Sequence, residues 1–221
     1  MSLSASFRLV FAGPHRAGIP FIAGGVVGAV AGVVVSHWLL GVSVLFTLFC
    51  LYFFRDPERV PPNRPGLVLA PADGHVVSIE PAAPPAELGL GDTPRIRVAI
   101  FLSVLDVHVN RMPAAGRVSR IAYRHGKFLN ASVDKASVDN ERNAIALVLP
   151  NGQDLAVVQI AGLIARRILC DAHEGEVFAA GSRFGIIRFG SRTDVYLPHG
   201  VGALVEVGQT MIGGETVLAQ L

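Results

Sequence analysis

Hydrophobic and polar positions divide the chain into two regions of different texture. From Ala17 to Phe54 the sequence contains no Asp, Glu, Lys or Arg. As one helix this stretch would run about 57 Å, against a hydrocarbon core of about 30 Å. A single span cannot use all of it, whereas two compact spans fit. The break is expected at Ser36-His37-Trp38, where polarity interrupts the run and an indole can sit at a membrane interface. The pattern therefore predicts a transmembrane helical hairpin over 17–54. Gly24, Gly28 and Gly32 recur every four residues and offer a face on which a second helix can approach closely, within the hairpin or between chains.

After the hairpin the period changes. Asp56 to Pro65 carries Pro57, Pro61, Pro62 and Pro65, so 55–65 reads as a semi-rigid linker. Beyond it, short β-branched runs recur at Gly74–Ile79, Arg95–Leu102, Ala144–Leu149 and Leu155–Ile160, separated by turns such as Pro150-Asn151-Gly152. Helix is expected only in short pieces near Val104–Val107 and Leu163–Ile168. Residues 66–221 thus predict a mainly β domain. Pro71-Ala72-Asp73-Gly74-His75-Val76 and Val207-Gly208-Gln209-Thr210-Met211-Ile212 share a turn-then-strand cadence, as in lipoyl-like β-sandwiches.

Charge refines this picture. Hydrophobic residues make up 51% of the chain and charged ones 16%, which excludes a disordered segment. A net charge of +2 is too small for the basic patch of a nucleic-acid binder. Arg8 and Arg16 precede the apolar run, and Arg55, Arg59 and Arg64 follow it. Basic flanks on both sides place segment 1–16 and the β domain together in the cytoplasm, on a cell-membrane anchor. Cys50 and Cys170 cannot build a disulfide framework, and Cys170 has no companion at metal-ligand spacing. The only lysines are Lys127 and Lys135, neither at either of those two turns, which argues against a lipoyl or biotin carrier.

The most informative stretch is Phe189-Gly190-Ser191-Arg192-Thr193-Asp194. Taken alone, Gly190-Ser191 fits a turn, a hydrolase nucleophile or a self-processing bond. The G-x-S-x-G elbow of hydrolases is missing, because Phe189 and Thr193 hold the outer positions. Glycine before serine removes the side chain that would obstruct attack on the preceding carbonyl.

Several strings in order set that serine in context: Phe53-Phe54-Arg55-Asp56-Pro57-Glu58-Arg59, Pro71-Ala72-Asp73-Gly74, Phe101-Leu102-Ser103 and Asp106-Val107-His108-Val109-Asn110-Arg111-Met112-Pro113. Gly126-Lys127-Phe128, Asn140-Glu141-Arg142-Asn143, Gln159-Ile160-Ala161-Gly162 with Ala165-Arg166-Arg167, and Phe189-Gly190-Ser191 complete them. Together they resemble the short, membrane-anchored form of phosphatidylserine decarboxylase over nearly the whole chain. The resemblance implies a pyruvoyl enzyme free of metal and of PLP. Ser191 would attack the Gly190 carbonyl, cut the chain there and become the pyruvoyl cap of 191–221, which stays associated with 1–190. A Schiff base with the substrate's amine would then release CO₂ and leave phosphatidylethanolamine.

The same resemblance implies His108 as proton carrier and Asp73 as its orienting partner, on the logic of a Ser-His-Asp set. Longer bacterial forms carry a second histidine three residues beyond the position of His108, where this chain has Arg111. Arg111, His125, Lys127, Arg166 and Arg167 are candidate contacts for the lipid head group. Apolar residues from Phe101 to Leu105 are expected to touch the interface. The competing readings are a decarboxylase of a related serine phospholipid such as archaetidylserine, a membrane-anchored lipoyl-like adaptor and a serine hydrolase. A homo-oligomer stays open.

Overall fold

The computed structural model describes residues 12–126, 140–162, 167–188 and 191–221. The chain forms two compact units, Met1–Glu58 and Arg59–Leu221.

The first unit is helical. Helices α1 (Ile19–Val35) and α2 (His37–Phe53) are separated by Ser36, which is extended (φ −169°) and caps α2 by accepting the Trp38 amide at 3.3 Å. They run antiparallel because small residues let them. A Cβ built on Gly32 would lie 2.4 Å from the Leu40 amide nitrogen, one on Gly28 2.7 Å from Ser43 Oγ, and one on Gly25 2.3 Å from Thr47 Oγ1. Gly24 meets nothing within 4 Å. The close face therefore runs through 32, 28 and 25 and departs from the four-residue stripe, since a 3.6-residue period drifts about 40° over each step of four. The larger apolar side chains, among them Val27, Val34, Val42 and Leu45, point outward. The His15 amide donates to the Phe54 carbonyl at 2.7 Å and the Asp56 amide to the Gly13 carbonyl at 3.0 Å, so the unit's two ends meet. The helix from Arg16 to Val35 is long and apolar enough to cross a membrane.

The second unit is mainly β. Its large antiparallel sheet has the order β12-β2-β3-β11-β7-β6-β5-β9. The strands are β2 (Gly74–Ala82), β3 (Arg95–Leu102), β5 (Gly116–Arg124), β6 (Arg142–Val148), β7 (Asp154–Ala161), β9 (Val177–Phe178), β11 (Ser191–Tyr196) and β12 (Thr210–Met211). A smaller sheet joins β4 (Val109–Arg111), β10 (Arg183–Ile187) and β8 (Ile168–Cys170), and β1 (Leu67–Leu69) pairs with β13 (Val217–Gln220). Alternation along the strands makes the core. Val76, Val98, Ile100, Ile145, Leu147, Val157 and Val195 of the large sheet pack with Phe184 of the small sheet, with Met112 just after β4 and with Val68 and Leu218 of the pair. The opposite face carries Ala144, Ala146, Ala156, Val158 and Ile160 under Leu88 of a short 3₁₀ turn, Ala86–Leu88.

The expected short helix at 104–107 is a turn. The Asp106 amide donates to the Ser103 carbonyl at 3.0 Å and the Asp106 carboxylate accepts the Ser103 amide at 2.7 Å. That closed aspartate turn outcompetes a helix too short to nucleate. Ile168, placed at the end of a second helix by its sequence, instead opens β8, and residues 163–166 lie outside those described. The two segments of matching cadence pair with each other, Thr210 opposite His75 and Met211 opposite Gly74.

Gly74 tests how tightly β2 is seated. It sits at φ +148°, and a Cβ there would stand 2.2 Å from the Phe101 carbonyl oxygen, whereas Gly91, at φ +78°, has nothing within 4 Å. Gly91→Ala should cost only the left-handed penalty of about 1–2 kcal/mol. Gly74→Ala adds an overlap worth about 1–3 kcal/mol. Melting of the full chain in detergent should show Gly74→Ala several degrees below Gly91→Ala, at about 2–4 °C per kcal/mol.

Candidate active site

Sheet register decides which residues meet. Strand β11 lies between β3 and β7, with Ser191 opposite Leu102 on one side and Ala161 on the other. Ser191 therefore stands at the end of the sheet where β3 finishes, β7 finishes and β2 begins. On the core-facing side of the sheet, Ser191, Thr193 and Val195 alternate with Arg192, Asp194 and Tyr196 on the far side. Ser191 is fully buried, and among the described residues neither its Oγ nor Thr193 Oγ1 has a hydrogen-bond partner. An orphaned buried hydroxyl is costly, so its position calls for a chemical reason.

His108 is also fully buried and leads into β4. Its Nδ1 lies 2.9 Å from the Asp106 carbonyl oxygen. A carbonyl can only accept, so Nδ1 carries the proton and Nε2 holds the ring's basic lone pair. The His108 carbonyl accepts the Ile187 amide at 3.3 Å, tying it to the strand that runs toward Ser191. The backbone carbonyl of Asp106 thus holds the ring at Nδ1. Asp73 stands just before β2, and its carboxylate accepts from Arg59 at 2.7 Å and from the Gly213 amide at 2.8 Å. Burial, with Asp106 adding to it, holds the Asp73 carboxyl above the usual carboxylate range, against the opposing pull of Arg59 and the Gly213 amide.

A buried amide chain joins the two sheets beneath this end. Asn143 Nδ2 donates to Gln159 Oε1 at 2.9 Å, Gln159 Nε2 to Asn110 Oδ1 at 2.7 Å, and Asn110 Nδ2 to the His108 carbonyl at 3.3 Å. Gln159 is opposite Thr193 in the register, so the chain links the strands around Ser191 to the strand that follows His108. A third polar group surrounds Glu141, which is buried and accepts the Tyr123 hydroxyl at 2.6 Å and the Ile168 amide at 3.2 Å. Burial first, then Glu141, pushes the Tyr123 phenol up to about 12.

The other sequence candidates scatter. Arg111 is turned inward, donating to the Gly181 carbonyl at 3.0 Å, with its stem against Gly214. His125 is exposed and meets the Tyr123 ring edge-on at 4.9 Å. Arg167 is exposed at the start of β8. Lys127, Arg166 and Gly190 lie outside the described residues. Residues to which the sequence reading gave no role, Arg59, Asp106, Asn110, Asn143, Gln159, Glu141 and Arg188, supply much of the polar structure. For Asn110, Asn143 and Gln159 the signal was a polar side chain at an inward strand position; Arg59, Asp106, Glu141 and Arg188 lie outside the strands, where no such pattern marks them.

A buried serine at the head of a central strand, a buried imidazole leading into the neighbouring sheet and an amide network joining the two sheets suit an enzyme built on a β scaffold. The chain belongs to the phosphatidylserine decarboxylase family, whose sequence model matches residues 46–219. The phosphatidylserine decarboxylase proenzyme of Granulibacter bethesdensis is 70% identical over 221 residues, covering 100% of this chain and 91% of that protein. Those of Gluconacetobacter diazotrophicus and Gluconobacter oxydans are 64% and 62% identical, each covering 100% of both chains.

Two expected outcomes follow from the polar layer. Gln159→Leu leaves the Asn143 donor and the Asn110 acceptor without partners, at about 1–3 kcal/mol apiece, while Thr193→Val removes a hydroxyl that has none and should be neutral or stabilising. The melting temperature should fall for Gln159→Leu and hold or rise for Thr193→Val; a fall for both of similar size would contradict this assignment. Asp73 sets a pH dependence. Its folded carboxyl titrates above its unfolded value, so its contribution to stability is fullest at low pH and is lost as pH rises through that interval. The stability of Asp73→Asn relative to the native chain should therefore increase from about pH 4 upward and then level off. Denaturation midpoints of both proteins across that range check the sign, which would reverse if the Arg59 ion pair dominated.

Proposed function

We propose that this chain is made as a proenzyme, cuts itself between Gly190 and Ser191, and decarboxylates phosphatidylserine to phosphatidylethanolamine through the pyruvoyl group so formed. The observation that carries the reading is the buried, unpartnered Ser191 hydroxyl at a strand end. His108 accepts the proton as Ser191 Oγ attacks the Gly190 carbonyl, and the peptide bond becomes an ester. Elimination then breaks the bond between Oγ and Cβ, releasing the Gly190 carboxylate, and hydrolysis of the resulting dehydroalanine expels ammonia. This sequence fits the site, because it removes a buried hydroxyl that has no partner among the described residues.

Once formed, the pyruvoyl ketone supplies the electron sink for the C–C bond that breaks. The chain's own residues do the rest. His108, fixed through Nδ1, holds a proton beside residue 191 and returns it to the substrate carbon after CO₂ departs. Asp73, with Arg59, fixes the start of β2 and adds negative charge near the His108 turn. Strand β11 stays in place after the cut because its six residues pair on both sides, so fragments 1–190 and 191–221 remain together. No metal or PLP enters this scheme.

The membrane setting follows from the outward face of α1 and α2. Apolar side chains point away from a small-residue seam, the two ends meet, and Arg16 and Arg55 flank them. This supports a transmembrane hairpin, with 1–16, the linker 55–65 and domain 66–221 on the cytoplasmic side of the cell membrane. Leu105, 64% exposed at the tip of the turn before His108, supports an interfacial contact there. The pairing of β12 with the start of β2 supports a lipoyl-like sandwich. His125, Lys127, Arg166 and Arg167 stay candidate head-group contacts, while Arg111 acts as a brace.

Intact mass of the purified chain beside Ser191→Ala tests this. The native protein should give two species, with 191–221 lighter than plain hydrolysis would leave it by the mass of one ammonia, and Ser191→Ala a single uncut chain. His108→Gln should slow cleavage about 10²–10⁴-fold, the range for loss of a positioned acid–base group. An uncut native chain that decarboxylates phosphatidylserine would overturn the reading.

A further inference from the structure

Arg59, the first residue of the second unit, has a side chain only 5% exposed and donates through Nη2 to the Asp73 carboxylate at 2.7 Å. The segment that carries it is docked. The Val60 amide donates to Glu215 Oε1 at 2.9 Å, and Pro61 lies so close to Gly181 that a Cβ built there would meet its ring at 2.5 Å. The other Asp73 oxygen takes the Gly213 amide, so Arg59 and the turn at 213–215 hold the carboxylate between them. Asp73 stands at the Ser191 end of the sheet. His75 is opposite Phe101 and Ser191 is opposite Leu102, so the heads of β2 and β11 flank the end of β3, about 10 Å apart. Charge reaches Asp73 from Arg59 and from Asp106, whose carbonyl holds His108 Nδ1. Arg111 and Glu215 border the same turn, Arg111 with its stem against Gly214 and its guanidinium on the Gly181 carbonyl, Glu215 on the Val60 amide. Burial is the strongest influence against the carboxylate form of Asp73, and the charge of Arg59 is the strongest in its favour.

Resting on the self-cleavage reading above, we propose that Arg59 is a positioning residue for the cut between Gly190 and Ser191, holding Asp73 as a carboxylate beside the turn that carries His108. The segment that leaves the helical unit is then part of the catalytic apparatus as well as a tether. Cleavage calls for negative charge at one moment. When His108 takes the Ser191 proton, an imidazolium forms in a buried setting, and a fixed carboxylate nearby lowers the energy of that state without touching the reacting atoms. A protonated Asp73 supplies no such charge. The Gly213 amide fixes one carboxylate oxygen, but a neutral dipole cannot replace a full cation on the other. Arginine suits the task because its guanidinium stays charged throughout the working pH range and presents its donors in a rigid fork. Lysine would supply the charge from a flexible stem with less control of direction.

The test follows cutting of the full chain, made by cell-free synthesis into vesicles of phosphatidylethanolamine and phosphatidylglycerol and then chased at a series of pH values. Native protein is compared with Arg59→Gln, Arg59→Lys, Asp73→Asn and the double variant Arg59→Gln with Asp73→Asn. Without Arg59, Asp73 is neutral at low pH and ionises as pH rises. Arg59→Gln should therefore lag native protein about tenfold at about pH 5.5 and no more than about twofold at about pH 8.5. Arg59→Lys keeps the charge and should recover most of the rate across that range. A brace with only a structural part would give the same lag at every pH. Because Arg59 works through Asp73, the double variant should be cut as fast as Asp73→Asn alone. A lag independent of pH, no lag at all, or a double variant slower than Asp73→Asn would overturn the positioning role and leave the self-cleavage reading standing. Should Arg59→Gln fail to fold, the double variant, which buries no uncompensated carboxylate, decides the matter. Asp73→Asn cut at the native rate would remove Asp73 from the scheme and Arg59 with it, whereas an uncut native chain would overturn the underlying reading itself.

Discussion

The two-sided hold on β11 is the constraint from which the rest of the catalytic unit follows. Its residues Ser191 to Tyr196 pair with Leu102 to Arg97 on one side and with Ala161 to Ala156 on the other. Apolar patterning alone would fix that register poorly, because Val195 is the only aliphatic residue in the strand. Charge supplies what is missing. Arg192 donates to Asp194 through Nε at 2.6 Å and through a terminal nitrogen at 2.9 Å, both residues are buried, and Arg97 lies 3.8 Å from the same carboxylate. A slip of one residue would turn this ion pair into the aliphatic core, where unpaired charge costs several kcal/mol. The pair thus acts less as a source of stability than as a lock on where Ser191 sits.

That lock would achieve little if His108 were free to move, because His108 belongs to a different sheet. The amide chain from Asn143 through Gln159 to Asn110 spans the two layers and ends on the His108 carbonyl. Each amide donates to the next carbonyl oxygen, so the chain has one direction and one satisfied arrangement. Rigid strands hold both ends. The proposed Ser191 and His108 pair is thereby carried by sheet elements, although His108 itself sits at the end of a turn.

Legibility in the sequence followed the same division. Strands with regular alternation could be read directly: β3 matches the expected Arg95–Leu102, and β7 extends the expected Leu155–Ile160 by one residue at each end. The Val104–Val107 turn could not, because its conformation is set by the Asp106 carboxylate reaching back to the Ser103 amide, a choice that apolar periodicity does not encode. The glycine face was read one position off at Gly24, since four-residue spacing only approximates a 3.6-residue helix. Ser191 stood out because glycine precedes it within a longer run of matching strings. The orienting carbonyl of Asp106 was invisible, because any residue has one. The pairing of Arg59 with Asp73 was invisible for another reason: it joins a linker residue to the head of a strand, and no periodicity connects the two.

The distribution of charge around the site carries one further consequence. Around Ser191 the inward positions are hydroxyls, amides and aliphatics, while the guanidiniums of Arg97 and Arg192 are tied to carboxylates on the far face. A carboxylate brought to residue 191 would leave water for a setting in which the nearby buried guanidiniums of Arg97 and Arg192 already hold carboxylates, and its conversion to neutral CO₂ would relieve that desolvation. Charge that must persist through the reaction, on the phosphate, is better met at the rim, where water still solvates it. Charge that must vanish is brought into the interior. Reversing the two, with arginine beside Ser191 and apolar residues at the rim, would bind the head group as tightly and hold the carboxylate where it cannot leave.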